Sequence, residues 1–301
     1  MKKAIGLDLG GTKINGALIL EDGLFLKRAS TNTRNEGDPS IILRQLAEMI
    51  AQLSEGEEVV GAGIGSPGFV DSENGRIMAV GGNIAGWAWT DVKAGLSDLS
   101  PLPVVMENDA NCAAACEAWL GAGKDLSSFV MLTIGTGLGG AIWLPQLGLW
   151  RGSNFRAAEL GHSILIPRGR KCTCGQYGCV ERYASGTAIE ENYFELSGRR
   201  IDGTSIVASY DVDEFARQSV DRFARDLGIF LATLRNIIDP EAFIIGGGVI
   251  DSRTIWWDTM INEFKNQVND PSSIEILPAQ YGNDAGMLGA ASLVFDNPLD
   301  R

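Results

Sequence analysis

The chain has 301 residues, 45% of them hydrophobic, with 25 Lys and Arg residues against 38 Asp and Glu residues and a formal net charge of −13. That length and composition suffice for a large core in one α/β domain or two lobes, while the acidic balance argues against non-specific nucleic-acid binding. The longest apolar runs are too short and too glycine-rich to cross a bilayer, and the N-terminus lacks a signal-peptide pattern, so we expect a cytoplasmic protein without membrane or nucleic-acid partners.

The first part of the chain is predicted to alternate strands and helices. A helix near 39–53 has Asp38 as its expected N-cap and Pro39 at its first position, a place where proline fits a helix. The other elements predicted before residue 120 are a strand, glycine turn and strand over 3–20, a strand at 59–64, a loop at 65–68, a strand at 103–106 and a helix at 110–119.

The pattern restarts at residue 129. A strand at 129–134, a glycine turn at 135–137 and a strand at 140–144 echo the N-terminus, which we interpret as a weak internal repeat with one copy in each lobe. Residues 151–183 are expected to be loop-like, followed by a long helix at 213–238 that ends before Pro240, a strand at 243–245 and a final helix at 284–295. This alternation predicts the α/β class.

The segment Asp8-Leu-Gly-Gly-Thr-Lys13 follows the first predicted strand. Glycines there let consecutive backbone N–H groups converge on an anion, because a Cβ would block the approach. In this interpretation Gly10, Gly11 and Thr12 contact phosphate, Lys13 adds charge, and Asp8 holds Mg²⁺ directly or through water. The segment is neither a P-loop nor a Rossmann turn, and an ordinary hairpin turn is the alternative.

Two further glycine turns each follow an apolar strand. They are Gly135-Thr136-Gly137 and Gly246-Gly247-Gly248. One such turn is usually only a turn, but three of them, two with hydroxyls, predict a nucleotide-binding cradle distributed over two lobes. Two turns would lie at the phosphates and one at the adenosine.

The pair Asn108-Asp109 lies at a predicted strand-to-helix junction. Helix capping is one interpretation, because Asn and Asp are favoured at that position. The functional interpretation is a catalytic carboxylate that orients an attacking hydroxyl and accepts its proton late, a role for which an ordinary aspartate suffices.

Three of the five cysteines, Cys172, Cys174 and Cys179, lie close together in the sequence. An odd number of cysteines in a chain without an export signal is poor evidence for disulfides. Three thiols need one more ligand to complete a tetrahedral Zn²⁺ site, and His162 is the only histidine in the chain. Four protein ligands leave no open position, so we predict that this zinc is structural.

Together these segments resemble the ROK family of repressors, open reading frames and sugar kinases. The motifs that carry the resemblance are Asp8-x-Gly-Gly-Thr-Lys13, Glu159-x-Gly-His162 with Cys-x-Cys-Gly-x-x-Gly-Cys-x-Glu181, and Asp284-Ala-Gly-Met-Leu-Gly289. The resemblance implies a two-lobed, actin-like ATPase fold (ribonuclease H-like) with a sugar bound in the cleft between the lobes. The expected lobes are residues 1–117, against which a helix at 290–301 packs, and residues 118–289 with the zinc site.

The resemblance also implies roles for individual residues and for partners. Asp109 would be the general base on the sugar hydroxyl, and His162 would bind zinc through one ring nitrogen and face the sugar with the other. The other implied sugar-binding residues are Asn108, Glu159, Glu181, Asn83 and the loop Ser66-Pro67-Gly68. The implied nucleotide-binding residues are Gly10, Gly11, Thr12, Thr136, Gly137 and Gly247. The implied partners are ATP with Mg²⁺, a small sugar and a second copy of the chain in a homodimer.

Two departures from the family pattern lie near the implied sugar site, so the identity of the sugar stays open. Gly82-Asn83-Ile84 stands where paired asparagines are common, and Ala157-Ala158 stands where Ala-Gly is usual. We expect a glucokinase-like hexose kinase; the alternatives are a kinase of N-acetylmannosamine, N-acetylglucosamine or another hexose, a sugar-sensing regulator, or a non-catalytic binding protein. Regulators of the family carry an N-terminal DNA-binding module, whereas this sequence starts at the phosphate loop and is acidic.

Overall fold

The computed structural model describes residues 1–81, 84–270 and 274–295. The chain forms two compact units. Unit 1 comprises Met1–Asp125, Leu147–Ala157 and Asn283–Arg301, and unit 2 comprises Leu126–Gln146 and Ala158–Gly282. The lobe boundaries expected from the family resemblance stay a prediction.

Unit 1 is built around one mixed sheet. Its strands lie in the order β3-β2-β1-β4-β7, with β2 antiparallel to both β1 and β3, and β4 parallel to both β1 and β7. The elements up to residue 125 are β1 (Lys3–Leu9), β2 (Lys13–Leu20), β3 (Phe25–Asn32), α1 (Pro39–Ser54), β4 (Ala62–Ser66), β5 (Phe69–Asp71), β6 (Arg76–Ala79), α2 (Val92–Ser97), β7 (Val104–Asn108) and α3 (Asp109–Trp119).

Unit 2 holds a second mixed sheet, in which its four strands lie in the order β9-β8-β11-β12. The remaining elements of the chain are β8 (Phe129–Ile134), β9 (Leu138–Leu144), β10 (Gly148–Leu149, in unit 1), α4 (Gly186–Ser197), α5 (Gly203–Ala208), α6 (Glu214–Ile238), β11 (Ala242–Gly246), α7 (Trp257–Gln267), β12 (Glu275–Pro278) and α8 (Ala285–Phe295, in unit 1). Short 3₁₀ helices cover Leu160–His162, Val180–Arg182, Gly248–Ile255 and Gly282–Asp284.

The two sheets repeat one arrangement. In unit 1, β1 pairs antiparallel with β2 and parallel with β4, which pairs parallel with β7. In unit 2, β8 pairs antiparallel with β9 and parallel with β11, which pairs parallel with β12. The same order and sense in both units support the internal repeat that the short sequence echo predicted.

Helix α8 lies directly on the sheet of unit 1 because glycines remove the side chains that would separate them. A Cβ on Gly6 of β1 or Gly63 of β4 would collide with backbone carbonyls of α8, those of Met287 and Ala290. Gly289 of α8 makes the same close approach to the α3 backbone at Cys112. Backbone can approach backbone this closely only where glycine is present.

Each unit buries its own core. In unit 1, α1 and the strands enclose Trp87, which is fully buried. In unit 2, residues of β8, β11, α4, α6 and α7 form one cluster, and the rings of Phe223 and Trp256 meet edge-on at 5.4 Å. The predicted cap of α1 is confirmed, because Asp38 accepts a hydrogen bond at its start; Asp213, which was not predicted as a cap, does the same at the start of α6. Helix α6 ends at Asp239, in the left-handed region, ahead of Pro240.

Nowhere in the described ranges is a helix both long enough and apolar enough to span a bilayer.

Candidate active site and metal centre

The first glycine turn is a tight hairpin between β1 and β2. The Gly10 N–H donates to the Lys13 carbonyl at 2.8 Å, and Thr33 Oγ1 donates to the Gly10 carbonyl at 2.7 Å. Thr12 and Lys13 are exposed on this turn, with Gly11 partly buried beside them. The hairpin interpretation and the phosphate interpretation are therefore compatible, because the turn keeps its polar side chains at the surface.

Asp8 closes the carboxyl end of β1 and is partly buried. Desolvation, together with the negative charge of Asp109, raises its pKa to about 6, while a hydrogen bond with Asn15 opposes both. Gly286, near the N-terminus of α8, lies so close that a Cβ there would stand 2.9 Å from the Asp8 carboxyl carbon. A carboxyl group whose ionisation is disfavoured by burial and by a neighbouring carboxylate is a suitable environment for a divalent cation.

The pair at the β7–α3 junction shows the helix capping that was one of its two predicted interpretations, while the catalytic interpretation stays a prediction. Asn108 is the N-cap of α3, and its Oδ1 accepts the backbone N–H groups of Ala110 at 2.9 Å and Asn111 at 3.2 Å. Its Nδ2 donates to the Gly68 carbonyl at 3.0 Å. Asp109 is the first residue of α3 and is exposed to solvent, yet the surrounding protein atoms desolvate its carboxylate and raise its pKa, against a hydrogen bond from the Ala110 N–H.

The Ser66-Pro67-Gly68 loop reaches the site through backbone rather than through the serine hydroxyl. Ser66 is fully buried; its Oγ accepts a hydrogen bond from Nε1 of Trp87 at 3.0 Å and donates to the Pro67 carbonyl at 3.2 Å. Gly68 has a φ of +98°, and a Cβ there would collide with the Ala79 carbonyl. The loop therefore offers its Gly68 carbonyl to Asn108. The predicted sugar-binding Asn83 lies outside the described residues.

Sequence reasoning missed the residue that precedes this pair and its partner. Glu107 is 1% exposed, and its Oε2 accepts a hydrogen bond from Nε of Arg151 at 2.6 Å. A charged residue at the end of an apolar strand does indicate that a partner exists, because buried charges are paired. The identity of the partner has no signal in the sequence, since 44 residues separate the two.

In unit 2, the second glycine turn joins β8 to β9 beside the start of α4. Gly135 N–H donates to the Gly137 carbonyl at 2.9 Å, Gly186 N–H donates to the Gly135 carbonyl at 2.8 Å, and Thr187 Oγ1 donates to the Thr136 carbonyl at 2.7 Å. A Cβ on Gly135 would meet no atom within 4 Å. The turn is thus open on the Gly135 side and lies at the positive end of a helix, where anions bind favourably.

Glu181 packs against the other side of the same turn. Its Oε2 accepts the Leu138 N–H at 3.0 Å, and a Cβ on Gly137 would collide with this carboxylate. Its Oε1 lies 3.8 Å from the Cys172 thiol. A side chain at Gly137 would therefore displace the Glu181 carboxylate, whatever ligand the turn binds.

The third glycine turn follows β11. Gly247 has a φ of +84°, and a Cβ there would clash with the backbone of Ile134 on β8. Gly246 lies at the end of β11, where a Cβ would stand 3.0 Å from Ala279. Gly248 begins a 3₁₀ helix with open space at its Cβ position. Only Gly248 of the three leaves room that a ligand can use without a conflict inside the protein.

The predicted metal ligands are brought together. Among the described residues, the donor atoms of His162, Cys172, Cys174 and Cys179 all lie within 4.8 Å of one another. His162 Nδ1 is 3.7 Å from Cys172 Sγ, and the Sγ atoms of Cys174 and Cys179 are 3.6 Å apart. A tetrahedron with Zn–S bonds of about 2.3 Å has edges of about 3.8 Å, which these two distances match, so the cluster suits a zinc ion.

This cluster lies in a segment without long helices or strands. Desolvation raises the pKa of the Cys174 thiol, but hydrogen bonds from Gln176 and the neighbouring thiols outweigh it and lower the pKa to about 7, which favours the thiolate that a metal requires. The second ring nitrogen of His162, Nε2, points to the other side and lies 3.9 Å from Oε2 of Glu159. The ring therefore presents one nitrogen to the thiols and the other to Glu159, a residue predicted to bind the sugar.

Two sheets of the same strand order, each with a glycine hairpin between its first two strands, define the actin-like ATPase class of α/β folds. The model of the ROK family matches residues 4–297, and the chain belongs to that family. It is 36% identical to the glucokinase of Thermotoga maritima over 97% of both chains.

Solved structures agree with this assignment. A ROK hexokinase from Thermus thermophilus is 32% identical, with a TM-score of 0.89 over 99% of this chain and 100% of that one. A ROK family glucokinase from Streptomyces griseus, solved in complex with glucose and AMPPNP, is 33% identical, with a TM-score of 0.84 over 98% of this chain and 100% of that one. The family resemblance read from the motifs is confirmed.

Proposed function

We propose that this protein transfers a phosphoryl group from ATP to a hydroxyl of a hexose, converting glucose to glucose 6-phosphate. The observation that carries the proposal is Asp109: an exposed carboxylate, held at the start of α3 beside a capping asparagine, with a raised pKa. The similarity to glucokinases over the whole chain supports glucose as the acceptor.

In this proposal Asp109 accepts the proton of the attacking hydroxyl. Desolvation of its carboxylate raises its affinity for that proton, so it is a better base than the ordinary aspartate that the sequence predicted. Asn108 is fixed by its cap and by Gly68, so it can orient a neighbouring hydroxyl without moving. A positioned base of this kind contributes roughly 10²–10⁴-fold to the rate.

The sugar-binding residues of unit 2 would depend on the metal centre. Zinc on the four donors would fix the His162 ring, and Nε2 would then face the sugar together with Glu159. Glu181 would contribute its carboxylate from the adjoining 3₁₀ turn. With four protein ligands the metal would have no open position, so its contribution is to hold the loop and not to activate a substrate.

The glycine turns would bind the nucleotide. The exposed Thr12 and Lys13 of the first turn, and the open sides of Gly135 and Gly248 in the other two, are the places where phosphates or adenosine meet no obstacle. Asp8 would hold Mg²⁺, whose charge would offset the repulsion between Asp8 and Asp109 and neutralise charge on the transferring group. A cytoplasmic location and a homodimer complete the proposal; light scattering in solution tests the second.

A coupled assay of ADP release with MgATP tests the function across glucose, mannose, N-acetylglucosamine and N-acetylmannosamine. We expect the highest kcat/KM with glucose and no release without sugar. Preference for another sugar would keep the mechanism and replace the acceptor. The kinase proposal would be contradicted if no sugar caused ADP release although the protein is folded, loaded with zinc and still binds glucose in calorimetry. That result would favour a binding protein.

A further inference from the structure

A buried ion pair involves Glu107, the residue that precedes Asn108 and Asp109 at the β7–α3 junction. Glu107 is 1% exposed, and its Oε2 accepts the Arg151 Nε–H at 2.6 Å. Arg151 comes from the separate segment 147–157, and 33% of its side chain is exposed. A carboxylate as buried as Glu107 requires a charged partner, because an isolated buried charge is strongly unfavourable.

The other oxygen of Glu107 holds the start of α3. Its Oε1 accepts the Asn108 N–H at 2.9 Å and the Asn111 Nδ2–H at 3.0 Å. Asn108 caps α3 and is also bonded to the Gly68 carbonyl. Arg151, Glu107 and Asn108 therefore form one continuous chain of hydrogen bonds, which ends at the residue next to Asp109.

Arg151 also supplies a positive charge that acts, together with three carboxyl groups, on the buried Cys112 thiol. The buried thiol of Cys112 has its pKa raised by desolvation first and then by the charges of Glu107, Asp8 and Asp109, whereas the charge of Arg151 lowers it. Three carboxylates and one guanidinium therefore act on the same point of unit 1. Loss of the guanidinium would remove a positive charge that offsets these three carboxyl groups at the Cys112 thiol.

We propose that Arg151 is a positioning residue for phosphoryl transfer. It fixes Glu107, Glu107 fixes the Asn108 backbone, and the junction then presents the Asp109 carboxylate in its reacting direction. Arginine suits this role because its planar Nε–H donates along a fixed direction, whereas lysine would supply only a mobile point charge. The inference rests on the proposed kinase reaction, in which a displacement of about 1 Å at the base lowers the rate by about 10²-fold.

The decisive variants are Arg151→Met, Arg151→Lys, and the double variant Arg151→Met with Glu107→Gln. The double variant removes both charges, while the amide oxygen of the introduced glutamine side chain keeps an acceptor for the Asn108 N–H. The matched control is Arg76→Met, which breaks the Arg76–Asp91 ion pair (2.7 Å) in the same unit but away from this junction. Thermal stability, kcat and both KM values are measured for each protein.

We expect Arg151→Met to lower kcat about 10²-fold with KM values changed by less than about threefold. Arg151→Lys should recover part of that loss. In the double variant, stability should return because no unpaired buried charge remains, while kcat stays low. Recovery of kcat together with stability in the double variant would show that Arg151 only neutralises Glu107, and it would overturn the inference. A kcat loss of the same size in Arg76→Met would also overturn it.

Amide hydrogen exchange separates this inference from the proposed function. Arg151→Met should accelerate exchange at Asn108 and Asn111 selectively, and Arg76→Met should not. That result does not depend on any substrate, so it is obtained even if no sugar is phosphorylated. Unchanged exchange at both amides would contradict the positioning role whether or not the wild type is a kinase.

Discussion

The candidate functional residues of the two units are held in place by different means. In unit 1, Asn108 and Asp109 lie where a strand becomes a helix, and backbone N–H groups and the Glu107 carboxylate hold them. In unit 2, Glu159 and His162 lie in a segment whose longest regular elements near the cluster are single 3₁₀ turns. A helix end fixes a side chain through the backbone alone, whereas an irregular loop needs a cross-link, which the three thiols and one imidazole are arranged to provide.

The largest effect should come from Asp109, the proposed base in unit 1. Asp109→Asn keeps the size and the cap but removes the proton acceptor, so kcat should fall by about 10³-fold with little change in sugar affinity. Steady-state kinetics and calorimetry measure the two quantities. Asp125→Asn, at an exposed position of the same unit, is the control. Turnover close to wild type in the Asp109 variant would remove this residue as the base.

The next effect should come from the cross-link of unit 2. Cys174→Ser should lose the metal, lower the melting temperature and raise the KM for sugar by about tenfold, because His162 is no longer fixed. Metal analysis, calorimetry and kinetics report the three changes. Cys116→Ser, at a buried thiol of α3, should lose stability but keep the metal. A metal-free Cys174 variant with full activity would contradict the structural role.

A smaller effect should distinguish the two faces of the β8–β9 turn. A side chain at Gly137 collides with the Glu181 carboxylate, whereas one at Gly135 meets open space. Gly137→Ala should therefore raise the KM for sugar as well as for ATP, by about three- to tenfold, and Gly135→Ala should affect ATP alone. Equal effects on both substrates in both variants would mean that Glu181 does not link the turn to the sugar.

The smallest effect concerns stability in unit 2, away from the cluster. Desolvation raises the pKa of Asp226 to about 6, although Arg170, Arg222 and Arg225 oppose it. Because the folded state then holds its proton more tightly than the unfolded state, ionisation above pH 6 destabilises the fold. Asp226→Asn should raise the melting temperature by about 2 °C at neutral pH, and the gain should shrink as the pH falls from about 6 to below about 4. A gain independent of pH would contradict this explanation.

What the sequence predicted well is local in the chain. The metal ligands span only residues 162–179, and the predicted cap Asp38 acts on a residue within one turn. Strand β3 was missed because its residues alternate between partial burial and exposure and include few apolar side chains. Helices α4 and α7 were also missed, although α7 carries Trp257, Met260, Ile261 and Phe264 at helical spacing.

Contacts between distant positions could not be predicted. Nothing in the sequence around Glu107 indicates that its partner is Arg151. Nothing around Ser66 indicates that its hydroxyl accepts a hydrogen bond from Trp87. The Gly137 contact with Glu181 is of the same kind, because the prediction assigned that glycine to the nucleotide alone. Such pairings are decided by the packing of elements and leave no periodic pattern in either segment.

The position of α8 has a consequence for the order in which the protein is made. Strands β1 and β4 leave the ribosome before unit 2 does, yet the helix that covers them, through contacts at Gly6 and Gly63, begins only at residue 285. Unit 2 lies entirely between these segments in the sequence, so it can complete its core before helix α8 of unit 1 has been synthesised. The nascent chain therefore carries an uncovered apolar sheet through most of its synthesis, and this is the stage at which we expect it to depend most on chaperones.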